Sequence, residues 1–547
     1  MLHLGPRTFT VSGHTLASVG VFVGLVALAA MARWPQLQMI PQYTDETEES
    51  LRAWAIYAGG LRPLVNVEPY IGSFWNYVVA GLFLAGGRDS DIPRQASLVA
   101  GALTVGMTYI LGRQLYGHLA GVVAALLLAG NAAHILVNSH VAWSNCVTPL
   151  FTTAAFWLLL RALDRPHSYG RLGAAGVAWG LALQTHPSVV VCLPGAALYA
   201  LHRYPRLAQR PQAWAGALLF LAAYGNVLLY NVQSGFGTIA EAQRVGADYA
   251  GAAGLGLERY GQSVLGILLL LVQAAAGVVD ARLTVAEYLF DPRMLVGAVA
   301  IGAAVWWSVR RRQWLLLLVG VPMLLVLPAL NQRWQPILAV RYIMPLIPLL
   351  CVVIGGIAGD MLPRRGWRPV ASWGVALAVV GLVVGVQLVA LQAYYRAETA
   401  AHRTNAGTWL VRRVVLEHRR SREVLIVHPD TRRLPTGGGG NWARVMTYFA
   451  TVHGVPVGVG SFDPYHPIRA CDVQRIELRR VERGKAFNPP PDTPSHEGYW
   501  VVRHAPLPGE SRLNPGILAS SVNYTLPWRQ RSLFDPQVTT FDTGCDA

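Results

Sequence analysis

Apolar stretches close to the thickness of a bilayer recur along this chain from residue 15 to residue 391, as in Leu315–Leu330 and Ala371–Ala390. A helix needs roughly 20 apolar residues to cross the hydrocarbon layer. Such repetition constrains the fold to a polytopic α-helical membrane protein. Composition agrees: of 547 residues 53% are apolar and only 14% charged, against about 25% charged in a soluble domain. Disorder, a collagen-like fold and a small disulfide scaffold are excluded.

The net charge is +16, and Lys485 is the one lysine, so arginine supplies 44 of the 45 fixed positive charges. Residues 1–391 hold 25 Arg and 15 acids, and residues 392–547 hold 19 Arg, one Lys and 14 acids. The excess is spread over both parts. It reads as positive loops meeting anionic lipid headgroups, so the bilayer is an expected partner and nucleic acid is not. Of five cysteines, Cys192 and Cys351 lie in apolar spans; Cys471 and Cys545 would be able to pair if their region is extracytoplasmic.

The first apolar segment, Leu16–Ala32, follows a short basic start and reads as an uncleaved anchor, although Ala30-Met31-Ala32 resembles a signal-peptidase site. Twelve more follow at about 71–87, 96–112, 119–137, 146–163, 171–186, 188–202, 213–230, 262–279, 294–308, 314–330, 341–359 and 369–391. If all thirteen crossed, 11 Arg would face the cytoplasm and 14 the outside. If 71–87 and 262–279 lie in the outer interface, the count becomes 14 inside and 11 outside. The positive-inside rule favours the second arrangement: eleven spans and two juxtamembrane helices. Both arrangements put the N-terminus in the cytoplasm and the C-terminus outside, and the second makes 34–95 and 231–293 external loops.

From Gln392 the apolar runs shorten to strand length. Asn405–Glu417 is helical in pattern, and Glu423–Val427 and Gly498–Arg503 read as strands. The expected architecture is a transmembrane catalytic module, 1–391, followed by a soluble extracytoplasmic α/β domain, 392–547. Gly437–Gly440 reads as a flexible turn and not a phosphate cradle, because no helix start or lysine follows it.

The most informative stretch is Tyr43-Thr44-Asp45-Glu46-Thr47-Glu48-Glu49-Ser50, just after the first span, with four of the module's 15 acids. An amphipathic helix continues through Leu51–Ala58 to Gly59-Gly60. Asp45 reads as its N-cap, with Glu48 completing a capping box. That role is compatible with a second one: a partly desolvated carboxylate at the membrane surface can accept a proton from a substrate hydroxyl, and clustered like charges push a pKa toward neutrality.

On these residues the chain resembles the C-type superfamily of membrane glycosyltransferases, in its bacterial branch of protein O-mannosyltransferases and lipid A aminoarabinose transferases. The acidic "YTDETEESLRAWAIYAGG" carries the resemblance first. "EPYIGSFWNYVVAGLF", "DIPRQASLVAGALTVGMTYILGRQLYG", "HILVNSHVAWSNCVTPLF" and "AVRYIMPLIPLL" follow in the family's order, over roughly residues 15–391. The third turn departs from the usual pattern, with His140, Trp143 and Asn145 where an arginine and an acid often stand.

The resemblance implies an enzyme that moves a hexosyl or pentosyl unit from a polyprenyl-phosphate sugar donor to a hydroxyl acceptor on the extracytoplasmic face, inverting the anomeric centre. Such a reaction needs a base for the acceptor and positive charge at the leaving phosphate. Asp45 is the expected base, with Glu46 holding the acceptor. Arg341, Tyr342 and Arg333 are the expected phosphate ligands, although Arg341 and Tyr342 also suit an interfacial anchor. His186, His140, Asn145 and Glu68 are expected at the substrates, although the first three also suit turn positions. No cofactor is expected, with a divalent ion on the acid cluster as an open alternative. An envelope lipid or glycan transporter, and a lipid-linked glycan polymerase or ligase, are the competing readings.

Overall fold

A computed structural model describes residues 13–42, 44–59, 61–250, 256–279, 291–330, 336–364, 369–400, 405–417, 423–427, 472–481, 486–496 and 498–504, with 445, 448, 449, 452 and 453. Arg333, the four-glycine turn and both Cys471 and Cys545 lie outside the described residues.

The chain is a multi-pass helical membrane protein. Six described helices are long and apolar enough to cross a bilayer: Leu16–Arg33, Ile92–Tyr116, Ser144–Leu163, Leu257–Ala276, Pro292–Arg311 and Trp373–Ala400. Pro211–Ala223 and Gly225–Gln233 make a seventh candidate, bent by 59°. Four shorter apolar helices accompany them. The eleven to thirteen apolar segments therefore do not each form one long helix. The expected segment 119–137 shows why: it divides into His118–Ala129 and Ala132–Val137. Asn131 sits at the break, where its side chain accepts from His134 N and its Nδ2 donates to Ala274 O at 2.7 Å.

The two segments assigned to the interface diverge. Phe74–Gly86 has 13 residues, about 20 Å of helix, short of the roughly 30 Å of hydrocarbon. The other becomes Leu257–Ala276, a 20-residue helix of spanning length. It starts five residues earlier than the apolar run, taking Glu258 and Arg259 into its first turn.

Four elements frame the acidic stretch: α1 (Gly13–Arg33), α2 (Thr44–Tyr57), α3 (Phe74–Gly86) and α4 (Ile92–Tyr116). The end of α1 is pinned by a fully buried Arg33. Its guanidinium donates to Ala29 O (3.0 Å) and Ala129 O (3.2 Å) and meets His134 Nδ1 at 2.8 Å. A buried charge persists only with such partners. The pin sets where residues 34–43 leave the bundle. Further on, Gly72 N donates to Gln184 O at 2.9 Å, and any side chain at Gly72 would run into that of Gln184. This close approach brings the start of α3 against the turn at His186.

The C-terminal region carries the helix Ala406–Glu417 and a four-stranded mixed sheet of β1 (Glu423–Val427), β2 (Asp472–Arg480), β3 (Ser495–His496) and β4 (Tyr499–His504), ordered β1-β2-β4-β3. β1 pairs parallel with β2, and the other pairs are antiparallel. The region packs against the linker after α1 and the start of α4. Arg412 meets Asp91 at 2.8 Å, Tyr448 Oη donates to Ser90 O, and Asn405 N donates to Met39 O. Tyr448 and Val452 share an apolar cluster with Trp54 of α2 and with Trp75 and Phe83 of α3.

Candidate active site

Helix α2 begins at Thr44, so Asp45 lies inside the first turn and the expected capping box is displaced. Its acids then sort by the helical period of 3.6 residues. Asp45, Glu48 and Glu49, spaced i, i+3 and i+4, line one cavity of about 340 Å³. Glu46 is turned about 100° away from Asp45 and is only 2% exposed. It forms a two-pronged ion pair with Arg94 on the first turn of α4, Nε–Oε1 2.6 Å and Nη2–Oε2 2.9 Å. The expectation that Glu46 holds an acceptor is corrected on that geometry: both carboxylate oxygens serve Arg94.

Glu49, part of the acidic stretch, was not among the expected site residues. The backbone N–H of Ser144 donates to its Oε2 at 2.8 Å, and Ser144 Oγ donates to its Oε1 at 3.1 Å. Burial pushes this carboxyl up to about 7, against the opposing pull of its hydrogen bonds, and nearby Asp45 adds to the rise. The folded chain thus holds this proton where the unfolded chain has lost it, between about pH 4.5 and 7, so this group's contribution to stability is lost as pH rises through that window. Glu49→Gln, which keeps the neutral form, is expected to raise Tm relative to wild type at pH 8 and to give no gain at pH 4.5. Thermal unfolding in detergent at both pH values checks this. An offset independent of pH would show that Glu49 titrates normally.

The remaining cavity wall brings together five of the expected residues: Arg341, Tyr342, His186, Asn145 and Glu68. The Arg341 guanidinium lies over the Trp143 ring, 4.1 Å from its centroid, and over Tyr342 at 5.0 Å, and its Nη2 donates to Tyr342 Oη at 2.9 Å. Planar stacking is how an arginine is held with its remaining N–H groups directed. The His186 ring packs 5.2 Å from that of Tyr342. Leu327, Leu330, Ala242, Val245, Val67 and Ile71 give the cavity an apolar side. One compartment therefore offers carboxylates, a single described arginine and an apolar wall.

His140 does not reach it. Buried, it meets Ile135 O (3.1 Å), Pro35 O (3.2 Å) and Tyr395 Oη (3.0 Å). Its expected place at a substrate is corrected: it ties Pro35, two residues past α1, to the turn that carries Trp143. Among the described residues no group of three or more His, Cys, Asp or Glu side chains is placed to hold a metal ion.

Residues 73–230 match the family model described as dolichyl-phosphate-mannose-protein mannosyltransferase. No curated protein sequence matches the chain. The crystal structure of ArnT from Cupriavidus metallidurans bound to undecaprenyl phosphate is similar over 89% of this chain and 98% of that one, with 14% identity and a TM-score of 0.56. Its apo state gives 15% identity, the same coverage and a TM-score of 0.55. The archaeal oligosaccharyltransferase AglB from Archaeoglobus fulgidus, in complex with an inhibitory peptide and a dolichol-phosphate, is 13% identical, covers 83% of this chain and 65% of that one, and has a TM-score of 0.44. The chain thus resembles the C-type membrane glycosyltransferases, in fold along most of its length and in sequence pattern over 73–230.

Proposed function

We propose that this chain is an inverting glycosyltransferase that takes a sugar from a polyprenyl-phosphate donor and places it on a hydroxyl of an envelope lipid, glycan or protein, on the extracytoplasmic side. The observation that carries this reading is the meeting of Asp45 and Arg341 in one cavity with an apolar wall. In this reading residues 1–391 form the catalytic module, its N-terminus is cytoplasmic, and residues 392–547 lie outside.

The residues divide the work as the chemistry requires. Asp45 takes the proton of the acceptor hydroxyl while that oxygen attacks the anomeric carbon. The bond from that carbon to the phosphate oxygen breaks, and its electron pair leaves with the phosphate. Arg341, steadied by Trp143 and Tyr342, balances the charge that collects there. The wall of Leu327 and Leu330 suits the isoprenoid chain. Asn145 and Glu68 supply polar contacts for sugar and acceptor hydroxyls.

Purified protein is to be incubated with a panel of radiolabelled polyprenyl-phosphate sugars and membrane extract. Wild type is expected to transfer label from at least one donor to an acceptor. Arg341→Gln is expected to raise the donor KM roughly 10- to 100-fold, the equivalent of losing one charge-assisted hydrogen bond. Donor left untouched by wild type, with a control enzyme active on the same panel, would overturn the reading. Movement of intact donor across vesicles would then favour the transporter.

A further inference from the structure

The cavity holds a second group whose protonation the backbone dictates. His186 stands between Tyr169–Thr185 and the 3-10 turn Pro187–Val191. Its Nδ1 receives the backbone N–H of Ser188 at 3.1 Å and lies 2.9 Å from Ser188 Oγ. A backbone N–H can only donate. Nδ1 is therefore an acceptor without a proton, and the single ring proton sits on Nε2. Among the described residues Nε2 has no hydrogen-bond partner, and the side chain lines the cavity beside Tyr342 and Arg341. Burial, with Arg341 next to it, pulls the ring down to about 3. With Nδ1 unprotonated the ring is neutral, and it serves neither as an acid nor as a second cation.

Resting on the function proposed above, we propose that His186 is a locked, uncharged N–H donor that joins Arg341 in seating the phosphate of the lipid carrier. The logic is one of charge economy. An imidazolium next to Arg341 would be repelled by it, whereas a neutral N–H adds a directed contact to a phosphate oxygen without that repulsion. The lock also fixes direction. The turn that anchors Nδ1 aims Nε2, so no rotamer search is needed when the lipid arrives.

Two substitutions separate this binding role from a turn-capping one. Asn at 186 can place its carbonyl oxygen where Nδ1 stands and keep the Ser188 contact, but it has no group that extends as far as Nε2. Gln reaches the Nε2 position with an N–H and gives up the cap. Binding of undecaprenyl phosphate, without sugar, to the purified full chain is to be titrated through intrinsic tryptophan fluorescence, with Tm measured alongside. Expected are a roughly 10-fold or larger weakening in His186→Asn at near-normal Tm, and recovery of most of the affinity in His186→Gln. Retained affinity in His186→Asn with loss in His186→Gln would overturn the proposal and make the residue a cap. Equal affinity in wild type and both variants would overturn it as well. A wild type that binds no undecaprenyl phosphate at all would overturn both this proposal and the function it rests on. Wild-type binding with unaffected variants fails this proposal alone.

Discussion

Asp45→Asn is expected to lower kcat about 1,000-fold, within the range that a positioned general base contributes, while undecaprenyl phosphate binds as in wild type. The reasoning is geometric. Asp45 is exposed in the first turn of α2 and lines the cavity that also holds Arg341. Asparagine preserves shape, polarity and the hydrogen-bonding reach of one oxygen, and it removes only basicity. Acids in a first helical turn also complement the helix dipole, by about 0.3–1 kcal/mol at an exposed site. A purely structural role would therefore appear as a small drop in Tm and leave turnover nearly intact. Initial rates at saturating donor, with Tm and lipid-phosphate affinity for the same samples, distinguish the two. Turnover within a factor of a few of wild type would return Asp45 to a dipole partner and leave Glu48, Glu49 and Glu68 as the carboxylates to test.

The membrane class was readable from apolar run length alone, because hydrocarbon thickness is a physical ruler that no local packing alters. What run length does not show is where a helix breaks. The division of 119–137 at Gly130-Asn131 depends on Asn131 reaching Ala274, more than 140 positions away in the chain. Likewise the acidic stretch was legible as a site but not as an arrangement. Glu49 stands four residues after Asp45, so helical periodicity alone places it on the same face, and that signal was available. Glu46 required knowledge of Arg94, a partner on another helix. His140 and His186 looked alike, each a histidine at an outer turn. One is consumed by Pro35, Ile135 and Tyr395, and the other keeps a nitrogen toward the cavity. Such differences lie in tertiary neighbours, which a single sequence does not list. The strand Glu423–Val427 was legible for the opposite reason: a short β-branched run between polar flanks is a local signal.

The ion pair of Arg94 with Glu46 is where the acidic helix is fastened, and breaking it is expected to have the largest effect on stability. Both side chains are buried, at 1% and 2% exposure. Besides its two bonds to Glu46, Arg94 donates through Nη1 to Ile40 O (2.8 Å) and Leu37 O (3.2 Å). One guanidinium thus holds both the start of α2 and the linker from α1. Arg94→Ala leaves a buried carboxylate and two carbonyls without their donor. Removing one partner of a buried pair costs about 3–5 kcal/mol, so a large fall in Tm in detergent is expected. Turnover should fall even at temperatures where the protein stays folded, because Asp45 directly precedes Glu46 and loses its fixed position. Arg94→Lys should rescue little, since an ammonium lacks the planar fork that meets both oxygens. The double variant Arg94→Met, Glu46→Leu separates the two effects. It removes both charges and is expected to regain most of the lost Tm, while turnover stays low because the linker carbonyls remain unheld. If Arg94→Ala instead melts and turns over as wild type does, the pair is incidental, and α2 is held by its other contacts, the bonds of Ser144 to Glu49 and the apolar packing of Leu51 and Trp54.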